Sequence, residues 1–266
     1  MRAMEGTYDL SLVFASGLLA VIAAYAALDL GRRIAFFDGM RERLWLGAGA
    51  LALGSGIWVM HVLGMQALGL PLALSYDLPL SLVCWMASVL MSLLALTIVS
   101  RSPAGTAGVA GGGVVLGVGI CLVHYSGMYA LRLSPRIGYD SELFSASIFI
   151  AVVFSIAALG IGFSVRRLPL TPFVPAKLLG ALLLGIAICA THYTGMAAAK
   201  FPAGMTVAPG NQLSTGWIDL LVWLFSAGMI LAVALLSMLD ARKLKARRRV
   251  QWERLDARFR RGLASG

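Results

Sequence analysis

The chain has 266 residues, of which 59% are hydrophobic and only 13% charged, and its mean hydropathy is +0.86. Soluble domains carry about 25% charged residues, so the composition excludes the ordinary globular class and points to the membrane. The formal net charge of +10 would suit nucleic acid only on a solvated basic surface; here the bases lie between and after apolar runs, so no nucleic-acid partner is expected.

A bilayer core of about 30 Å takes about 20 apolar helical residues, because backbone groups left unpaired in lipid are costly. Seven segments qualify in chain order: Tyr8 to Leu30, Leu44 to Leu68, Leu80 to Val99, Ala107 to Leu131, Leu143 to Phe163, Lys177 to Ala199 and Trp217 to Leu239. The expected fold is an all-α integral membrane protein of seven transmembrane helices, with a membrane domain over 1–240 and a tail over 241–266. The first run is as long as a span and lacks an A-x-A cleavage site, so it reads as a retained helix. Lysine and arginine fall eighteen on one side of these spans and four on the other. The rule that cytoplasmic loops are positive then puts the N-terminus outside and the C-terminus in the cytoplasm. Cys84, Cys121 and Cys189 all lie in apolar runs and give no disulfide framework.

The even-numbered helices repeat one pattern. Gly54 to Met65 in the second, Gly117 to Met128 in the fourth and Gly185 to Met196 in the sixth share G-x-[GA]-I-x-x-x-H-x-x-G-M, at separations of 63 and 68 residues. Each repeat is a helix pair with a cytoplasmic loop, and the three copies hold all three histidines of the chain. Each histidine falls about seven residues, or roughly 10 Å, before the outer end of its helix.

Histidine and methionine four apart share a helix face, so the candidate metal ligands are His61, Met65, His124, Met128, His192 and Met196. Glycines in the motifs allow the helices to approach closely. Imidazole with thioether suits copper, above all Cu(I), better than oxygen-seeking cations. Haem iron, held by two histidines or by histidine and methionine, is the alternative, and these residue types leave both open. Ionisable groups are costly in a bilayer, and three retained copies favour a function over a packing role. Cys121 and Cys189, three residues before their histidines, are further candidate ligands, although buried cysteine is commonly an apolar filler. Tyr125 and Tyr193 read as interfacial anchors, and Asp29 and Asp219, near helix ends, as anchoring groups.

At these residues the chain resembles the MHYT-domain family of bacterial integral-membrane sensor modules, over about residues 8 to 240. Gly56 to Met65 and Thr191 to Ala198 lie close to the family pattern, as does Leu28-Asp29-Leu30 with Arg32. Val62 departs from it where an aromatic residue follows the histidine, and Val123 and Thr191 stand where a methionine can precede it. Only the first copy keeps that methionine, Met60, a further candidate ligand. The resemblance implies seven helices in the bacterial inner (plasma) membrane, motifs near the outer face, copper binding, and sensing of oxygen, carbon monoxide or nitric oxide.

Family members often carry cytoplasmic domains that make or degrade cyclic di-GMP. Only residues 240 to 266 follow the last span here, so catalysis is not expected on this chain, and the signal would pass to a separate cytoplasmic partner. The tail has ten bases and apolar Leu244, Trp252, Leu255, Phe259 and Leu263, which reads as a basic amphipathic helix on the inner leaflet or a solvated topology anchor. Competing functions are a haem redox protein and a copper transporter; the latter requires a polar path through the bilayer. A retinal receptor is discarded, because the last span has no lysine for a Schiff base.

Overall fold

The computed structural model describes residues 7–34, 39–69, 76–101, 106–131, 133–164, 170–202, 204–207, 212–213, 216–232, 234–235 and 238. The expected tail helix lies outside the described residues. Six helices are long and apolar enough to cross a membrane: α1 Leu10–Ile34, α2 Met40–Ala67, α3 Leu78–Arg101, α4 Thr106–Ala130, α5 Ser141–Ser164 and α6 Leu170–Ala198. A seventh, α7, is described over Gly216–Ala232, about 25 Å at 1.5 Å per residue. The end of the expected seventh span falls partly on residues that are not described.

The first six helices close into a ring in chain order, α6 returning to α1, while α2, α4 and α6 also meet one another inside it. Of the apolar window of α2, 78% is buried, against 33% in α1 and α3 and 39% in α5. The motif-bearing helices are therefore the inner layer. The outer helices turn Leu10, Phe14, Leu90 and Phe149 outward, as lipid-facing surfaces do. The compact unit runs to Met229, and Ile230–Gly266 form a second unit.

The repeat explains the layering. The first motif glycine admits the outer helix that follows: a Cβ on Gly54 would lie 2.6 Å from the Val89 backbone, and one on Gly117 2.6 Å from Val152 Cα. A Cβ on Gly185 would lie 2.4 Å from Val21 Cγ2. Inner and outer helices thus touch backbone to backbone at Gly54 and Gly117 and backbone to side chain at Gly185, the small-residue packing that replaces a hydrophobic drive in lipid.

Among the described residues, four two-residue antiparallel ladders bridge the loops at the histidine end, which the all-helical expectation did not include. Thr7–Tyr8 pairs with Leu68–Gly69, Tyr76–Asp77 with Gln212–Leu213, Leu133–Ser134 with Thr206–Val207, and Gly138–Tyr139 with Ala199–Lys200. Asp9 and Asp140 each donate a backbone N–H to the end of an inner helix, at Ala67 and Ala198, both at 2.8 Å. Their carboxylates cap the outer helices they precede, accepting from the N–H of Ser11 at 2.9 Å and of Glu142 at 3.1 Å.

Candidate metal centre

The inner helices bring His61, His124 and His192 together, all buried. His192 Nδ1 stands 3.3 Å from His61 Nδ1 and 3.1 Å from His124 Nδ1. One ligand atom from each residue lies within 4.8 Å of the other two. The rings meet edge to face, with centroids 5.0–5.3 Å apart. Three nitrogens bound to one ion at about 2.0–2.1 Å stand roughly 3.3–3.6 Å apart, and the two separations from His192 Nδ1 lie within a few tenths of an ångström of that range.

The second motif glycine is the seat for a neighbour's ring. A Cβ on Gly127 would lie 2.2 Å from His61 Nε2, one on Gly195 2.4 Å from His124 Nε2, and one on Gly64 2.3 Å from His192 Nε2. The arrangement is cyclic: each motif supplies one histidine and seats that of the motif before it. Every Nε2 is buried against its glycine without a hydrogen bond of good geometry, which leaves Nδ1 as the nitrogen facing the centre. An imidazole with its proton on Nε2 presents a lone pair on Nδ1, the form a metal takes.

A cavity of about 10 Å³, lined by Ile57, Ile120, Ile188, Met60, Val123 and the three rings, sits beneath the triad, room for about one water or ion. The motif isoleucines, four residues before their histidines, form its floor. The reason is direction: side chains on a helix lean toward its N-terminus, so a histidine shares its cavity with residue i−4 rather than i+4.

Met65, Met128 and Met196 lie one turn the other way, buried in an apolar cluster with Leu68, Tyr76, Leu131, Leu133 and Phe201. Of the sulfur-bearing candidates, Met60 lines the cavity. Cys189 packs on the other core cluster near Gly17, and Cys121 is buried outside the cavity lining. Tyr125 and Tyr193 lay their rings on the histidines they follow, at 4.8 and 4.9 Å. Their hydroxyls bond Ser147 on α5 at 2.6 Å and Ser16 on α1 at 3.1 Å, so they tie the triad to the outer layer.

Two features were missed in the sequence. Tyr-Asp precedes each of α1, α3 and α5, at 8–9, 76–77 and 139–140, a second repeat that self-comparison would have found. The aspartates cap those helices, and two of the tyrosines meet the motif tyrosines, Tyr8 with Tyr193 at 5.8 Å and Tyr139 with Tyr125 at 5.2 Å. Hydrogen bonds from Ser11 hold the Asp9 carboxyl below its ordinary range, and the bond from Lys200 does the same for Asp140. Burial, with the neighbouring Tyr125, pushes the Tyr139 phenol up to about 12.

The other feature is Asp29, which is more than an anchor. It is buried and accepts from Lys177 Nζ on α6 at 2.5 Å and from Arg33 at 3.1 Å. The Lys177 ammonium also stands 3.8 Å from the centre of the Tyr25 ring. This cluster closes the α1–α6 seam at the end opposite the triad.

The family model described as "Bacterial signalling protein N terminal repeat", MHYT, matches residues 54–112, 117–173 and 185–249. The chain is 40% identical over 237 residues to the bifunctional diguanylate cyclase/cyclic di-GMP phosphodiesterase MucR of Pseudomonas aeruginosa, covering 89% of this chain and 34% of MucR. It is 36% identical to the cyclic di-GMP phosphodiesterase NbdA of the same organism, over 80% of this chain and 28% of NbdA. It is 35% identical to the signaling protein YkoW of Bacillus subtilis, over 78% of this chain and 26% of YkoW. The chain thus spans about a third or less of the length of these relatives. No solved structure matches it.

Proposed function

The chain belongs to the MHYT family of bacterial signalling proteins, and from that premise we propose that it is an inner-membrane sensor module whose three histidines bind copper and report a diatomic gas. The observation that carries this is the convergence of three buried Nδ1 atoms from three helices on one point. No carboxylate lines the cavity, which disfavours magnesium, calcium and manganese. With no anionic ligand in an apolar shell, a monovalent ion costs far less to bury than a divalent one, so Cu(I) is the favoured occupant. A space of about 10 Å³ suits a bare ion better than haem. The isoleucine floor favours a resident ion over a transported one.

Copper, when bound, supplies a soft centre on which oxygen, carbon monoxide or nitric oxide coordinates. His61, His124 and His192 hold it, the glycine seats fix the ring angles, and Met60 is the nearest thioether candidate. The outer methionines cover the centre one turn away. The distribution of basic residues favours an orientation with the triad near the outer face. His192 makes both Nδ1 contacts, and its helix is fastened to α1 at both ends, by Tyr193–Ser16 and Lys177–Asp29. Signalling by this route requires a displacement of His192 to be carried along α6 to the opposite face. The output is a cytoplasmic partner there, and the names of MucR and NbdA make an enzyme of cyclic di-GMP turnover the first class to test.

The test is a metal analysis of detergent-purified protein for copper, iron and zinc, with a visible spectrum, beside the His61, His124, His192 triple alanine variant. Copper in the parent that is lost from a folded variant supports the proposal and leads to titration with carbon monoxide. A haem band would replace copper by haem. Absence of metal even after Cu(I) is offered would make the triad a packing device and refute the sensor centre.

A further inference from the structure

A second cavity, of about 590 Å³, opens beside the triad where the end of α4, the segment after it and the start of α5 meet. Its size is that of a small-molecule site, which usually runs to about 300–1,000 Å³. Its walls are Tyr125, Tyr129, Tyr139 and Phe144, with Arg136 and Ser134 as polar members and no acidic residue among them. The rings form a connected set: Tyr125 stands 4.6 Å from Phe144 and 5.2 Å from Tyr139 between centroids. The Arg136 guanidinium lies 5.5 Å over the Tyr129 ring, which holds an otherwise exposed cation against the cavity lining.

We propose that this cavity is a binding site for a small planar aromatic anion, its ring against the tyrosine and phenylalanine lining and its acidic group on Arg136. Ring faces select a flat π-system, and the guanidinium selects a planar acidic group. Tyr139 keeps its proton at neutral pH, its phenol being pushed up to about 12, and so adds no negative charge to the lining. Tyr125 is a wall shared with the metal centre, since its other neighbour is the His124 ring at 4.8 Å. The site stands independently of the metal assignment, and it is tested on the full chain without added metal.

The experiment is equilibrium dialysis of 1-naphthoate against the full chain in phosphatidylcholine nanodiscs, with empty nanodiscs as background and neutral 1-naphthalenemethanol as comparison. Expected is one saturable naphthoate site, weakened about tenfold or more in Arg136→Gln, as loss of a charge-assisted bond predicts, with the neutral alcohol similarly weaker. Arg136 is exposed, so this variant should fold, and Tyr139→Phe should weaken binding less while keeping the ring stack. Binding no better than to empty nanodiscs, equal binding in Arg136→Gln, or equal affinity for the alcohol would each overturn the proposal. So would native mass spectrometry showing an Arg136-dependent phospholipid that naphthoate does not displace.

Discussion

Replacing Gly127 by alanine tests the cyclic seating of the histidines. The added Cβ would stand 2.2 Å from Nε2, 2.7 Å from Cδ2 and 3.0 Å from Cε1 of His61, whereas ordinary contact begins near 3.4 Å. The ring must therefore retreat by about 1.2 Å, and neighbouring helices leave it little room. Overpacking of this kind costs about 1–3 kcal/mol. It also carries Nδ1 well beyond the roughly 0.2 Å that a metal–ligand distance tolerates. The control is Gly47→Ala, on the same helix as His61, where nothing lies within 4 Å of the added atom; there alanine should be neutral or stabilising by up to about 1 kcal/mol. Thermal unfolding in detergent should place Gly127→Ala below the parent and Gly47→Ala at or above it. Adding His61→Ala should relieve the clash, so the double variant should be less destabilised than the two single effects together. A Gly127→Ala protein as stable as Gly47→Ala, or strict additivity in the double variant, would refute the seat.

Three further outcomes are expected. Asp29→Asn should destabilise more than Lys177→Met in denaturant titrations, because it removes the carboxylate that both Lys177 and Arg33 contact, whereas the lysine variant keeps the Asp29–Arg33 pair. The caps Asp9 and Asp140 have carboxyls held below the ordinary value of 3.8, so their contribution is complete above that value and lost as pH falls through the lower folded one. The Tm gap between the parent and an Asp9→Ala, Asp140→Ala variant should accordingly be full at neutral pH and close in strong acid. Tyr193→Phe should cost about 0.5–1.5 kcal/mol, read as a lower unfolding temperature, since Ser16 keeps its bond to the Val13 carbonyl at 2.8 Å.

The spans were legible because lipid imposes a length and a composition that sequence displays directly: Leu143 to Phe163 was expected and Ser141–Ser164 observed. The triad was legible because every histidine lay in a copy of one motif. The place of the methionines was not, since sharing a helix face says nothing about height. Met65 is one turn, about 5.4 Å, from the level of His61 and on the side away from which its ring leans. The Asp29–Lys177 pair spans 148 residues and joins a helix end to a helix start, so neither residue carries a local sign of the other. The Tyr-Asp repeat was visible in principle, but its meaning depends on Ala67 and Ala198 arriving beneath it.

The cyclic seating also accounts for the form in which the repeat persists. A histidine in one copy depends on a glycine in the next, His61 on Gly127, His124 on Gly195 and His192 on Gly64, so no copy can enlarge its glycine without displacing a ring supplied by another. The aromatic residue after the histidine has no such cyclic role. Tyr125 and Tyr193 bond outward to Ser147 and Ser16, each within its own sector, and the first copy has Val62 there instead. In that sector the inner and outer layers are joined by other pairs, Trp85 donating to Ser55 at 3.0 Å and Cys84 to Ser126 at 3.1 Å. Histidine and glycine are therefore bound to one another across copies by the shape of the centre, whereas the tyrosine is replaceable wherever a different bond closes the same seam.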